Sequence, residues 1–377
     1  MNFDFNDDQV FFRDMVRKFL DGEYPTERHV QRFEGVGDPL WSKLADLGVA
    51  SMLVDEAFGG QGMSFIDSAL VIEEFGRALV PIGDVETLVC SSLISRFGSA
   101  VQKSRWLAPI SAGTLRCAVA ISEDEAGYAL SEIAARASRN DHGWYLHGRK
   151  ILVPDAADAD LIVAVAQINT GTEPIVILLD RSQLKAPARR HVMLDPAVNA
   201  AELDLTGVKI LEGDILGGEG ALPGAAAWLF DACAAAFALY LAGAAGKVLD
   251  QAVDYAGQRV QFSRPIGSFQ AIKHKCADMA VSLEASRSAA YYAAWSMATD
   301  APDRAKAVSM AKAYCGDAAA KICNDGIQIH GGMGFTWELG LHYYLRRVKF
   351  LEYAFGDAAF HRERVLAASL AELGVGN

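Results

Sequence analysis

The sequence predicts an α+β protein in three parts: an N-terminal helical domain over 1–115, a middle antiparallel β-domain over 116–220 and a C-terminal four-helix bundle over 221–377. Three observations predict it. Short apolar-periodic helical stretches run to about residue 112, short β-like runs begin near Arg116, and long helical patterns resume after "GDILGGEG".

The first part is punctuated by "YPTE", "EGVGDP" and "FGGQGMS". Within it "SFIDSALVIEEFGRALVP" offers Ser64 as a cap, an apolar stripe through Ile66, Leu70, Ile72 and Phe75, and Pro81 as a stop. The middle part reads "CAVAI", "AARAS", "WYLHG", "LIVAVA", "IVILL" and "AELDL", with few helical spans between the runs, as in a compact antiparallel domain ending in a linker at 217–220. After it, residues 224–257, 270–299 and 302–328 are each long enough for several turns, and a shorter helix follows Phe355. No fixed-period repeat interrupts this order.

At 377 residues and 51% hydrophobic composition, the chain can bury sizeable cores in two or three domains. A formal charge of -12 argues against a general nucleic-acid or anionic-membrane surface and fits an enzyme of small molecules. Six cysteines without C-x-x-C pairs, five of them (Cys117, Cys233, Cys276, Cys315 and Cys323) in apolar runs, point to reduced thiols, with no zinc site and no disulfide framework. Asp4, Asp7 and Asp8 stand where a leader would carry basic residues, so a cytoplasmic location is expected. The stretch from Ala221 to Lys247 has Asp231 as its one charge and is long enough to cross a bilayer. Its Ala and Gly content is weakly hydrophobic, and Asp near a membrane centre costs roughly 2.5–3.5 kcal/mol, so a buried bundle helix is expected instead.

Residues 327–338, "IQIHGGMGFTWE", place Gly331, Gly332 and Gly334 directly after a long helical stretch. Such glycines serve either as a left-handed helix stop or as backbone that a ligand approaches closely. The run matches neither a phosphate loop with Lys-Ser/Thr nor a dinucleotide G-x-G-x-x-G.

A second motif, "RVQFSRPIGSFQAIKHKCADM" from Arg259, falls at the turn between the first two bundle helices. Together with the α-β-α order, the two motifs resemble the acyl-CoA dehydrogenase family over essentially the whole chain. That family writes the first as R-x-x-F-G-x-P-I-x-x-x-Q and the second as Q-x-x-G-G-x-G. The resemblance implies FAD as cofactor, with Arg259 on its pyrophosphate, Phe262 and Gln270 beside it, and Gln328, Gly331 and Gly332 at its adenosine end; in relatives these groups reach into a neighbouring subunit's flavin. A guanidinium matches a diphosphate in bidentate fashion, and bare backbone lets N–H groups approach it. The implied reaction removes the α-proton of an acyl-CoA thioester with a carboxylate while the β-hydrogen leaves as hydride, giving a 2-enoyl-CoA. Electrons then pass to an electron-transfer flavoprotein, and the implied assembly is a dimer of dimers.

The residues depart from the family at its centre. The usual Glu lies in a Y-E-G-T-like turn, here Ala354, Phe355, Gly356, Asp357. Some members place it on the first bundle helix, 26 residues before the motif Arg, which is Cys233 here. In the β-domain, T-E-P-G-x-G-S-D is replaced by "ISEDEAGYALSE", keeping Ser122 and Glu123, and W-I-T aligns with Leu152, Val153 and Pro154. Two candidates for a displaced base are Asp357, which could instead cap the last helix, and Asp231, which could instead pair with an Arg such as Arg287. Glu352 reads as a surface residue, and His330 as packing at a helix end. Two alternatives stay open: a non-catalytic subunit completing a sister chain's FAD site, and a flavin monooxygenase or oxidase on the same fold. The acyl group is not specified by the sequence.

Overall fold

Asn6 starts the first helix with a reciprocal cap: its side chain accepts from the Gln9 N–H, and the Gln9 side chain accepts from the Asn6 N–H. Asp7 and Asp8 fall in that helix's first turn, where the helix dipole favours anions. The computed structural model describes residues 5–33, 39–124, 127–168, 173–218 and 222–374. The "EGVGDP" turn but for Pro39, and Glu219 and Gly220 of the linker, lie outside the described residues.

In chain order the helices α1 (Asp7–Glu23), α2 (Thr26–Phe33), α3 (Leu40–Asp46), α4 (Phe65–Ala78), α5 (Ile82–Phe97) and α6 (Ala100–Ser111) come first. Strands follow: β1 (Cys117–Ala120), β2 (Arg136–Asn140), β3 (Gly143–His147), β4 (Arg149–Pro154), β5 (Leu161–Ile168), β6 (Pro174–Asp180), β7 (Arg189–Arg190), β8 (Ala200–Asp204) and β9 (Val208–Ile210). Then come α7 (Ala225–Gln258), a hairpin of β10 (Val260–Gln261) and β11 (Arg264–Pro265), α8 (Gln270–Ala298), α9 (Arg304–His330), α10 (Leu341–Tyr353) and α11 (Ala358–Glu372). The α-β-α order expected from the sequence is therefore the observed one.

Residues group into two compact units that cut across this order: Met1–Val30, Ala69–Val80 and Ala234–Asn377 form one, Gln31–Ser68 and Pro81–Cys233 the other. The first unit draws α1 and most of α4 to the bundle because α4 and α7 meet backbone to backbone. A Cβ on Gly76 would collide with the Tyr240 carbonyl, and one on Gly243 with the Glu73 carbonyl, so no side chain fits at the crossing. Glu73, buried there, pairs with Arg287 at 2.9 Å and accepts from the Tyr291 hydroxyl. The α9 helix packs on α8, α10 and α11. Helix α10 was not expected; it begins at Gly340 in the left-handed region and buries Leu341, Tyr343, Val348 and Leu351, with polar residues between them masking the periodicity.

In the second unit the large sheet runs β1-β5-β2-β3-β9, with β6 on β5, among the described residues. Most pairings are antiparallel, as expected; β1–β5 and β2–β5 are parallel. A smaller sheet, β4-β8-β7, carries a register shift between Lys150 and Val153. Ser64 immediately precedes α4, and its N–H and hydroxyl both donate to the Asp67 carboxylate in the first turn at 2.7 Å. The apolar window of α7 long enough to cross a membrane is 94% buried, which makes it a core helix.

Candidate functional site

On the first unit, the β10–β11 hairpin turns through Phe262 and Ser263, at φ 52° and 66°. Two left-handed central residues make a primed turn, normally built from Asn and Gly; here both positions carry side chains, at a cost of order 1–3 kcal/mol each. Ser263 stands where the family motif has its glycine. The turn leaves the Phe262 ring 88% exposed, edge-on to Phe269 at 6.1 Å, while the Arg264 guanidinium lies 4.0 Å over the Phe269 ring. The Ile266 N–H donates to the Arg259 carbonyl at 2.8 Å, fixing the hairpin base, and the Arg259 side chain stays exposed, as do Gln270 and Gln328.

Gly331 ends α9 at φ 60° and ψ -133°, a conformation open to glycine but not the left-handed helical stop expected. Gly334 is bare because a Cβ would lie 2.7 Å from the Ile327 carbonyl oxygen. Gly332 has neither reason: its φ is not left-handed, and a Cβ would meet nothing within 4 Å. Its bareness is not required by the chain's own packing, so it leaves room for something outside the chain. His330 is buried, its Nδ1 2.8 Å from the Gly326 carbonyl oxygen and its ring stacked on Tyr255 at 4.4 Å, which is the packing role read from the sequence.

The turn at the usual Glu position is also part of this unit. Phe355 sits at φ 55° and Gly356 at φ 99°, where a Cβ would press on His361 and Phe360. Three groups hold it. The fully buried Lys312 ammonium donates to the carbonyls of Glu352 and Gly356 at 3.1 and 2.8 Å, His361 Nε2–H donates to the Phe355 carbonyl at 2.9 Å, and the Phe237 ring packs edge-on against Phe355 at 5.2 Å. Burial pushes Lys312 down to about 7 and His361 down to about 3, so the imidazole is neutral and donates. Asp357 caps α11, accepting from the Phe360 N–H at 2.8 Å, so one of its oxygens is occupied. Glu352 pairs with Lys349 at 2.8 Å.

On the second unit, Ser122 is exposed and its carbonyl accepts from the Ile151 N–H at 2.9 Å. Its neighbour Glu123 is buried against Lys150 at 2.6 Å and accepts from the N–H groups of Ala134 and Ala135 at 2.6 and 3.0 Å. The register shift between Lys150 and Val153 spans Leu152, which is half-exposed at φ 52°. Asp231 is buried in the first turns of α7; Arg287, its suggested partner, is engaged with Glu73 and Glu284. Cys233 is fully buried, and burial pushes its thiol well up, away from the thiolate that a base would need.

Sequence reading passed over Glu86, the acid in the middle of α5. It has no exposed surface, its Oε2 accepts from the Val119 N–H at 2.9 Å, and burial raises its pKa well above the ordinary carboxylate range. A lone charge in the apolar run "VETLVCSSLI" was the available signal.

FAD fits the first unit's face, where Arg259, Gln270, Gln328 and open Gly332 supply a cation, amides and bare backbone for a diphosphate and a nucleoside. On the second unit, taken by itself, Leu152 and Pro154 offer neither an aromatic plane nor, at Pro154, a backbone donor.

Family models for the N-terminal and C-terminal domains of acyl-CoA dehydrogenases match residues 6–114 and 224–370. The chain is 29% identical to a probable acyl-CoA dehydrogenase of Bacillus subtilis, over 96% of this chain and 98% of that one. It is 30% identical to benzylmalonyl-CoA dehydrogenase of Aromatoleum aromaticum, over 93% and 94%. The solved butyryl-CoA dehydrogenase of Megasphaera elsdenii superposes with a TM-score of 0.89 at 26% identity, over 98% of this chain and all of that one.

Proposed function

The chain belongs to the acyl-CoA dehydrogenase family, whose members are FAD-dependent oxidoreductases acting on acyl-CoA thioesters, and on that premise we propose that it converts an acyl-CoA to a 2-enoyl-CoA and passes the electrons to an electron-transfer flavoprotein. The observation that carries the reading is the exposure of Arg259, Gln270, Gln328 and Gly332 on the first unit, with a bare Gly332 that the chain's own packing does not require. Bound FAD supplies the two-electron acceptor. Arg259 would neutralise the diphosphate, Gln270 and Gln328 would donate to it and to the nucleoside, and Phe262 would cover an apolar edge. Ser122 is proposed as a cofactor contact on the second unit, taken by itself. Asp357 and Asp231 remain proposed bases of lower standing, the first because it already caps a helix.

A second reading is favoured by the wall at Leu152 and Pro154 and by Phe355 in the Glu turn: the chain lends its Arg–Gly face to a sister subunit's FAD in a heteromeric assembly. The test is the flavin-to-chain ratio of the purified protein, followed by acyl-CoA addition. One flavin per chain that bleaches supports the first reading. A colourless chain that gains flavin only with a co-expressed sister subunit supports the second, and oxygen consumption independent of acyl-CoA would favour an oxidase. Arg259→Ala is expected to lower FAD retention; unchanged flavin content would contradict its diphosphate role.

A further inference from the structure

We infer that the cavity bounded by α1, α4, α7 and the start of α10 is a second ligand site of the first unit, and that it takes a small organic monocarboxylate. The cavity holds about 280 Å³, and none of its lining residues belongs to the proposed cofactor contacts. All of them lie in the first unit. The end of α1 lines it with Arg17, Leu20, Asp21 and Tyr24, whose spacing sets them on one helical face over roughly 10 Å. Across from them α4 contributes Glu74 and Arg77, and α7 contributes Lys247.

The donors of this wall are only partly spent. Arg17 gives Nε and Nη2 to the buried Glu74 carboxylate at 2.8 and 2.5 Å, and Arg77 gives Nη2 to Asp250 at 2.7 Å. The Nη1 of Arg17 and the half-buried Lys247 ammonium have no hydrogen bond or ion pair among the described residues. Three cations therefore face one buried carboxylate, since Glu73, next along α4, is taken by Arg287. The remaining carboxylates, Asp21 and Asp250, are exposed, where water and salt screen them. A partly desolvated ammonium is unfavourable until an anion meets it. The backbone makes room for this charge: a Cβ on Gly246, beside Lys247 in the chain, would lie 3.2 Å from the Arg77 Nη1, so the bare residue lets the guanidinium approach α7.

Size and wall select the ligand class. A space of this volume is more than an inorganic ion or a few waters fill. Leu20, Leu79 and the rings of Tyr24 and Tyr343 add carbon surface to it, and the Tyr343 hydroxyl is committed to the Trp337 carbonyl at 3.2 Å. An organic carboxylate answers both features: its oxygens accept charge-assisted bonds from Lys247 and the Arg17 Nη1, and its hydrocarbon body covers the apolar part of the wall. Asp21 on the same wall disfavours a second negative charge, so a monocarboxylate fits better than a phosphate dianion. Once bound, the ligand ties α1 and α4 to α7 and α10 and stabilises the first unit by mass action.

The test titrates the purified full-length chain with benzoate, benzamide, benzylamine and inorganic phosphate at constant ionic strength, following calorimetric binding, the thermal midpoint and the flavin spectrum. Benzoate is expected to bind and to raise the midpoint as its concentration rises, with no change in the flavin spectrum; phosphate should bind at least ~10-fold more weakly, and the neutral amide and the amine should not bind. Lys247→Gln strands no partner and is expected to weaken benzoate about 10-fold, Lys247→Arg should keep it, and Asp21→Asn should bind it at least as tightly as wild type. Benzoate affinity unchanged in Lys247→Gln, or coupled to a flavin spectral shift, would place the anion elsewhere and overturn the site. Equal binding of benzoate and benzamide, a stronger response to phosphate, a response to benzylamine alone, or no binding at all would overturn the carboxylate assignment, and these comparisons need only the wild type. None of the readouts uses acyl-CoA turnover, so the dehydrogenation reading stands or falls separately.

Discussion

The Lys312 ammonium lies 2.8 Å from the Gly356 carbonyl oxygen, fully buried, and so ties α9 to the turn that precedes α11. Its pKa is pushed down to about 7 by burial, whereas an unfolded lysine titrates near ~10.4. Between those values the unfolded chain holds a proton that the folded chain lacks. Stability contributed by this site therefore rises as pH increases from about 7 toward 10, and the full penalty is present below about 7. Urea unfolding of wild type and Lys312→Met at pH 7 and 9 is expected to show the wild type gaining about 2 kcal/mol relative to the variant. A constant difference would mean that Lys312 stays charged.

Lys150 and Glu123 form a buried ion pair at 2.6 Å that joins β4 to the segment following β1. Lys150→Met leaves Glu123 buried without its cation and is expected to cost about 3–5 kcal/mol. Glu123→Gln/Lys150→Met should lie closer to wild type than Lys150→Met, because the neutral amide removes the uncompensated charge and its carbonyl oxygen keeps one of the two bonds that the Ala134 and Ala135 N–H groups give to separate carboxylate oxygens. Denaturant midpoints of the three proteins check the order.

Gly332 and Gly334 should separate fold from ligand. Gly334→Ala sets a Cβ against the Ile327 backbone and is expected to lower the unfolding midpoint with or without flavin. Gly332→Ala meets nothing in the chain, so the flavin-free protein should melt as wild type does while flavin content after purification falls. Full flavin retention in Gly332→Ala would remove the cofactor reading of that glycine.

The architecture was legible because periodicity carries it: the bundle helices α7, α8, α9 and α11 and the strands β1, β2, β3, β5, β6 and β8 all follow runs visible in the sequence. Helix α10 was not, since His342, Tyr344, Arg346 and Arg347 break up its apolar stripe; Arg347 is nonetheless fully buried, donating to the carbonyls of Leu79 and Val80 and to the Tyr240 hydroxyl. The grouping into two units was hidden because it depends on which helices meet, as at Gly76 and Gly243, and no local pattern records that. Of the proposed cofactor contacts, Arg259, Gln328 and the glycines were readable as motifs. The hold of Lys312 and His361 on the Phe355 turn was not, because it comes from burial and from partners distant in sequence.

Phe355→Glu probes whether the turn still has the geometry for a base that its sequence no longer supplies. Phe355 is held at φ 55° by the His361 and Lys312 hydrogen bonds on either side, none of which involves its side chain. The backbone should therefore survive the substitution, while loss of the buried ring and its edge contact with Phe237 is expected to cost about 3 kcal/mol. A carboxyl placed beside Phe237 would be partly desolvated, which raises its pKa toward the range a general base needs. Phe355→Glu is expected to recover flavin bleaching by butyryl-CoA or octanoyl-CoA, by at least ~100-fold over the wild type. Recovery would show that the turn retained its placement when the Glu was replaced. A stable, flavin-loaded variant with no recovery would mean that a carboxyl at this turn does not reach the substrate, which is the outcome expected of a subunit that lends its face to a neighbour.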